Sequence, residues 1–262
     1  MNLESCYSEL ANLMGSQAEA FPIVQRVEQH RRYWRPGKTR LVLLAESHVH
    51  TDEPEYCHKV KPLDWMPKDL PLDFVRFVYC LGYGENELLD KPIKPNGGTP
   101  HFWKIFYSCI NEVMSHDDFA PILKRRTYLA ERACTKMRLL DAMKARGIWL
   151  VDASIMAVYP KPHVNLQEFL QTSWNGYVRS VVHDASPEGI LCIGFGVARA
   201  LRSQLDELGV LWGVVPQPNA RLLSTEHLCI FDAYRRVSNE PMEARDLCAK
   251  WFRQCFPTTE VV

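Results

Sequence analysis

The chain has 262 residues, 47% of them hydrophobic, enough to bury one full α/β core and too few for several large ones. Lysine plus arginine (31) equals aspartate plus glutamate (31), so no global charge points to nucleic acid, and affinity for DNA has to come from local patches. No stretch approaches the roughly 20 apolar residues of a bilayer span, and the N-terminus lacks a basic, apolar, small-residue leader, so a soluble cytoplasmic protein with no membrane partner is expected.

In chain order, residues 1–39 read as an N-terminal helical extension, with apolar spacing through Leu10, Leu13, Phe21, Val24 and Val27 before Pro36-Gly37. The Leu41–Ala45 run is aliphatic without alternation, the pattern of a strand buried on both faces, and it breaks into Glu46-Ser47-His48. Residues 52–100 form a long connection dense in Pro and Gly, with one helix expected over 72–81; a segment of that kind is more often functional than idle. Helices follow over 101–114 and 127–146, then a second buried strand over 148–152 ending in Asp152. A helix fits 165–183, the third strand is Ile190–Ile193, and Gly194-Phe195-Gly196 opens a helix to about 208. The fourth strand, 210–215, runs into Pro216-Gln217-Pro218-Asn219, and 225–262 carries C-terminal helices near 225–236 and 241–254. The predicted fold is a three-layer α/β/α sandwich around a four-stranded parallel sheet, in a single domain.

Parallel sheets bind ligands at their carboxyl edge, so the candidate site gathers the polar residues that first emerge there: Glu46, Ser47, His48, Asp152, Gln217 and Asn219. Three other motifs read more plainly. Gly194-x-Gly196 lacks the third glycine of the dinucleotide fingerprint and is a tight turn. His48-x-His50-x-Asp52 has metal-ligand spacing, but a metal-dependent hydrolase needs further ligands at later strand ends, where only Asp152 stands; no metal is expected. Arg31-Arg32 and Lys124-Arg125-Arg126 read as solvated helix faces. Nine cysteines, an odd number with no Cys-x-x-Cys, read as free buried thiols and not as disulfides or cluster ligands.

Taken together and in order, the strand ends resemble the uracil-DNA glycosylase superfamily. Ala45-Glu46-Ser47-His48-Val49-His50 stands where its first motif follows strand one. Gly98-Thr99-Pro100-His101-Phe102-Trp103-Lys104 is similar to the Asn-x-Phe-Trp-Lys stretch of the mismatch-specific thymine and uracil glycosylases. Leu150-Val151-Asp152-Ala153-Ser154 is similar to the strand that carries the family's base-reading Asn, and Val215-Pro216-Gln217-Pro218-Asn219-Ala220-Arg221 resembles the mismatch enzymes' version of the final His-Pro-Ser-Pro loop. The resemblance implies a base-flipping glycosylase, acting as a monomer on double- or single-stranded DNA without a cofactor. Ser47 replaces the water-positioning residue, which moves that role to Glu46, His48 or Asp52. Val215 replaces the His that stabilises the departing base, leaving backbone N–H groups to do so. Asp152 replaces Asn, and a carboxyl can accept from the N4 amine of cytosine and, when protonated, donate toward N3, so a cytosine-type base, hypermodified as in phage DNA, is expected. Base contacts are assigned to Asp152, Gln217, Asn219 and a stacking Tyr83, and DNA contacts to Arg221, Lys161 and Lys104 with Leu222 or Leu223 as a wedge. The alternatives are a uracil or mismatched-thymine repair enzyme, a catalytically inactive DNA-binding relative, and a metal-dependent hydrolase.

Overall fold

A computed structural model of the chain describes residues 2–124, 126–158, 164–218, 224–241 and 248–257, and of 224–226 the backbone alone. Four strands form one parallel sheet in the order β2-β1-β3-β4: β1 Leu41–Ala45, β2 Ile148–Asp152, β3 Gly189–Ile193 and β4 Leu211–Val215. All but Leu211 of these strand residues are buried, as expected for strands covered on both faces.

Among the described residues ten α-helices accompany the sheet: α1 Leu3–Met14, α2 Phe21–Tyr33, α3 Pro100–Ile110, α4 Leu129–Ala145, α5 Leu166–Ser173, α6 Arg179–Ala185, α7 Phe195–Ala200, α8 Arg202–Glu207, α9 Ser224–Asn239 and α10 Ala249–Cys255. Helix α3 packs on α4 and α9, while α5 packs on α1 and α7 and α10 lies on β4, two groups consistent with the outer layers of an α/β/α sandwich. A single π turn, Trp174–Val178, joins α5 to α6, so the expected 165–183 helix is continuous but locally underwound. No helix among the described residues is long and apolar enough to cross a membrane.

Three expectations change. Residues 1–39 are not an extension: one cluster of buried residues runs from Cys6 and Leu10 of α1 through Ile23, Val24 and Val27 of α2 into the sheet. The helical reading breaks at Gly15, whose φ of 57° no ordinary helix accommodates, and resumes at Pro22 in the first turn of α2. No helix forms over 72–81. Phe74, Val75, Phe77, Val78, Tyr79, Cys80 and Leu81 are all buried, so there is no solvent face for an amphipathic helix, and short turns such as Cys80 N–H to the Phe77 carbonyl at 2.9 Å replace it. Arg31 is not solvated. It is 1% exposed and pairs with Glu28 at 2.5 Å, while Trp149 Nε1 donates to its carbonyl. All nine cysteines are free, and six of them are buried.

Register decides where the chemistry gathers. Ala45 is paired with Asp152 across β1 and β2, Leu44 with Cys192, and Ile193 with Val215, so all four strands end on one edge.

Candidate active site

A cavity of about 430 Å³ opens at that edge. Glu46, Ser47, His48, Asp152 and Gln217 line it from the strand ends, as the sequence predicts for a parallel sheet. Arg76, Phe77, Val78 and Thr99 come from the 52–100 connection, and His101 and Phe102 from the first turn of α3. The long connection is therefore a wall of the site. It is tied down where Val49 N–H donates to the Arg76 carbonyl (3.1 Å) and where Arg76 binds Glu55 through Nε (2.6 Å) and Nη2 (2.5 Å).

His48 and Asp152 are buried side by side. The His48 Nε2–Glu19 Oε2 distance is 2.8 Å, and the same carboxylate accepts from Thr51 N–H (2.9 Å) and Ala157 N–H (2.8 Å). Burial opposes charge on Glu19, but the His48 charge and these hydrogen bonds outweigh it and hold the carboxyl below its usual range. Burial likewise opposes the His48 imidazolium, and Glu19 overcomes that, so the His48 pKa is raised. Asp152 goes the other way. It is 2% exposed, burial drives its pKa up, and the opposing charges of His48 and Arg31 do not cancel that effect.

His48 Nδ1 lies 3.9 Å from Asp152 Oδ2, beyond hydrogen-bonding distance, and neither atom has a hydrogen-bond partner among the described residues. With Glu19 ionised and His48 protonated, a neutral Asp152 leaves the buried trio without net charge. An ionised one leaves it negative, which a low-dielectric site disfavours.

Ser47 Oγ accepts from Val158 N–H at 3.1 Å, fastening the loop after β2 to the end of β1. Glu46 is half-buried, and a Cβ added at Gly196 would meet its Oε2 at 3.5 Å, so the Gly194-Phe195-Gly196 turn runs beside the carboxylate. That turn is structural: Gly194 caps α7 with φ 96° and ψ 152° and donates to the Val215 carbonyl at 2.7 Å. Burial lowers the His101 pKa to about 4, with Lys104 adding to the effect, so this imidazole is neutral near pH 7.

Other expected site residues lie elsewhere. Asp52 is exposed, pairs with His50 at 3.4 Å and does not line the cavity. Tyr83 is buried in the wall of a second cavity, because the turns that replace the 72–81 helix carry it away from the strand ends. Lys104 lies over the Phe119 ring, 5.3 Å from its centroid. Asn219, Arg221, Leu222, Leu223 and Lys161 lie outside the described residues. His48, His50 and Asp52 do not converge, and no three His, Cys, Asp or Glu side chains among the described residues are placed to hold a metal.

Sequence reasoning missed Glu19, His101, Phe77 and Phe102. For Glu19 the local hint is a lone acid in an otherwise apolar Ala18-Glu19-Ala20-Phe21 stretch just after a glycine break, and its partner stands 29 positions away. No protein-family model matches the chain, and comparisons with curated proteins and with solved structures give no match.

Proposed function

We propose that the protein is a monofunctional DNA glycosylase that hydrolyses the N-glycosidic bond of a flipped-out pyrimidine, with a cytosine-type base, hypermodified in phage DNA, as the preferred substrate. The observation that carries this reading is the buried Oδ2 of Asp152 beside the buried Nδ1 of His48, neither with a hydrogen-bond partner among the described residues and both residues lining the strand-end cavity. Buried polar atoms in folded proteins are almost always satisfied, so this pair calls for a ligand that brings its own donors and acceptors.

A protonated Asp152 can accept from the N4 amine of cytosine through one oxygen and donate to N3 through the other. Proton donation makes the base a better leaving group. Glu46, lining the same cavity, is the carboxylate placed to take a proton from water. The water oxygen bonds to C1′, the C1′–N1 bond breaks, its electron pair leaves with the base, and the water proton passes to Glu46. His48 does not activate water in this scheme: its Nε2 is committed to Glu19, and its role is to hold the Asp152 side of the pocket. Phe77 or Phe102 takes the stacking role first given to Tyr83, since both line the cavity that Asp152 lines.

The test is incubation with duplexes containing uracil, cytosine or a bulky 5-modified cytosine at one position, scored for abasic sites. Excision of a cytosine-type base is expected. Glu46→Gln should lower the excision rate about a hundredfold or more while leaving the fold intact, the size of effect seen for a positioned general base. Absence of abasic sites with every substrate, or an undiminished Glu46→Gln enzyme, overturns the reading.

A further inference from the structure

A second cavity, of about 300 Å³, adjoins the first and shares Thr99 with it. Its walls are largely apolar and aromatic, with Tyr83 and Trp103 among them, yet three cations reach it: Lys124, Arg126 and Lys136. Glu85 is the only carboxylate among the described residues that line it.

Glu85 is already shared. Arg132 donates through Nε to its Oε1 (2.9 Å) and through Nη2 to its Oε2 (2.7 Å), and Lys136 Nζ donates to Oε1 at 2.7 Å. All three side chains are at least nine-tenths buried, so within the cluster one negative charge faces two positive ones in a low-dielectric setting, with Glu87 acting on Arg132 from outside it. An uncompensated buried charge is expensive, and the Trp103 face, with its centroid 4.8 Å from Lys136 Nζ, softens that cost only partly. Burial lowers the Lys136 pKa, and the neighbouring Arg132 and Lys124 charges work in the same direction. Lys124 and Arg126 are exposed at the rim and add charge of the same sign, although Arg126 also meets Asp117 at 3.1 Å. Thr99 Oγ1 is buried without a hydrogen-bond partner among the described residues where the two cavities meet.

We propose that this second cavity is an anion site that takes a phosphate group carried on an organic body, with Lys136 as its buried counter-charge and Lys124 at its mouth. The missing negative charge is what the Glu85, Arg132 and Lys136 cluster lacks, and the apolar walls take the body to which the phosphate is attached. A phosphodiester of bound DNA and a free nucleoside monophosphate offer the same chemistry. The site stands independently of base excision.

Thermal unfolding is followed while inorganic phosphate or deoxycytidine 5′-monophosphate is titrated at constant ionic strength, with chloride as the balancing anion. Wild type is expected to show a saturable rise in Tm. The exposed Lys124→Glu and the buried Lys136→Met should each weaken half-saturation about tenfold, the scale of one charge-assisted hydrogen bond. If Lys136→Met fails to fold, Lys124→Glu carries the test alone. No saturable shift in wild type, or variants that saturate as wild type does, overturns the proposal. The source is separated by the salt dependence of duplex binding. A slope reduced by about one in Lys124→Glu assigns the site to a DNA phosphate, and an unchanged slope with mononucleotide binding assigns it to a free ligand. Because neither readout requires excision, failure of the glycosylase reading leaves these outcomes intact.

Discussion

Asp152 separates two kinds of base recognition in one side chain. An Asn amide offers one donor and one acceptor, neither able to supply a proton, and it matches the N3–H and O4 of uracil. A carboxyl whose pKa burial raises offers, in its protonated form, a donor, an acceptor and a transferable proton. Asp152→Asn should therefore raise uracil excision relative to cytosine-type excision. The change is expected to exceed the roughly 1 to 3 kcal/mol of a single bidentate base contact, because acid assistance is lost along with hydrogen-bond matching. Competition between uracil and cytosine duplexes in one reaction measures this ratio directly. An unchanged ratio would assign Asp152 a purely structural role and move base choice to the 52–100 wall. The identity of this residue and its place at a strand end were readable in the sequence; its pKa was not, because burial, which raises it, and the charges of His48, Arg31 and Glu19, which modulate it, are brought together only by the fold.

Elements differ in how plainly the sequence announces them. The strands were legible because fully buried parallel strands leave an unbroken apolar run, and the register then aligns Val151, Leu44, Cys192 and Val214 in one row, a residue before Asp152 and Ala45 emerge at the strand ends. The 72–81 segment was misread for the converse reason. It is as apolar as a core helix, but its backbone serves the neighbours: the Asp73 carbonyl lies 2.9 Å from His30 Nε2, and the Arg76 carbonyl holds Val49. The β3–α7 turn shows the sequence read correctly, a glycine doing structural work. With φ 96° and ψ 152°, Gly194 occupies a region open essentially to glycine alone, and a Cβ there would approach Gln217 Cγ to 3.1 Å. Gly194→Ala is expected to lower stability by about 1 to 3 kcal/mol and to displace Gln217 from the cavity wall. Urea unfolding with an unchanged m-value would register the first effect, and a raised KM with nearly unchanged folding at low temperature the second.

On the scale of the whole molecule, the Glu19–His48 pair joins the end of β1 to the break between α1 and α2, and so couples the fold to pH. The Glu19 pKa is lowered from its ordinary 4.5, so its contribution is present above that value and is lost as pH falls through the still lower folded-state pKa. The His48 pKa is raised from its ordinary 6.5, so its contribution is complete below 6.5 and fades as pH rises through the higher folded-state value. Asp152 adds in the same alkaline direction: its pKa is raised, the folded state favours its protonated form, and ionisation at higher pH costs stability. Glu19 and His48 are therefore jointly at full strength between about pH 4.5 and 6.5, while the Asp152 penalty grows from its ordinary 3.8 upward and tilts the optimum toward the acid side of that window. Glu19→Gln keeps the shape of the side chain but removes the charge that sustains the imidazolium, leaving His48 with Asp152 to favour its charge and Arg31 to oppose it. Removing one partner of a buried ion pair costs about 3 to 5 kcal/mol. The variant is expected to lose about that much at pH 6, less at pH 8 where wild type has already given up part of the contribution, and to show a flatter Tm against pH. Calorimetry of both proteins from pH 5 to pH 9 tests this. Parallel curves offset by a constant would show that Glu19 stabilises the fold through its bonds to the Thr51 and Ala157 amides alone, and that His48 is neutral in the folded protein.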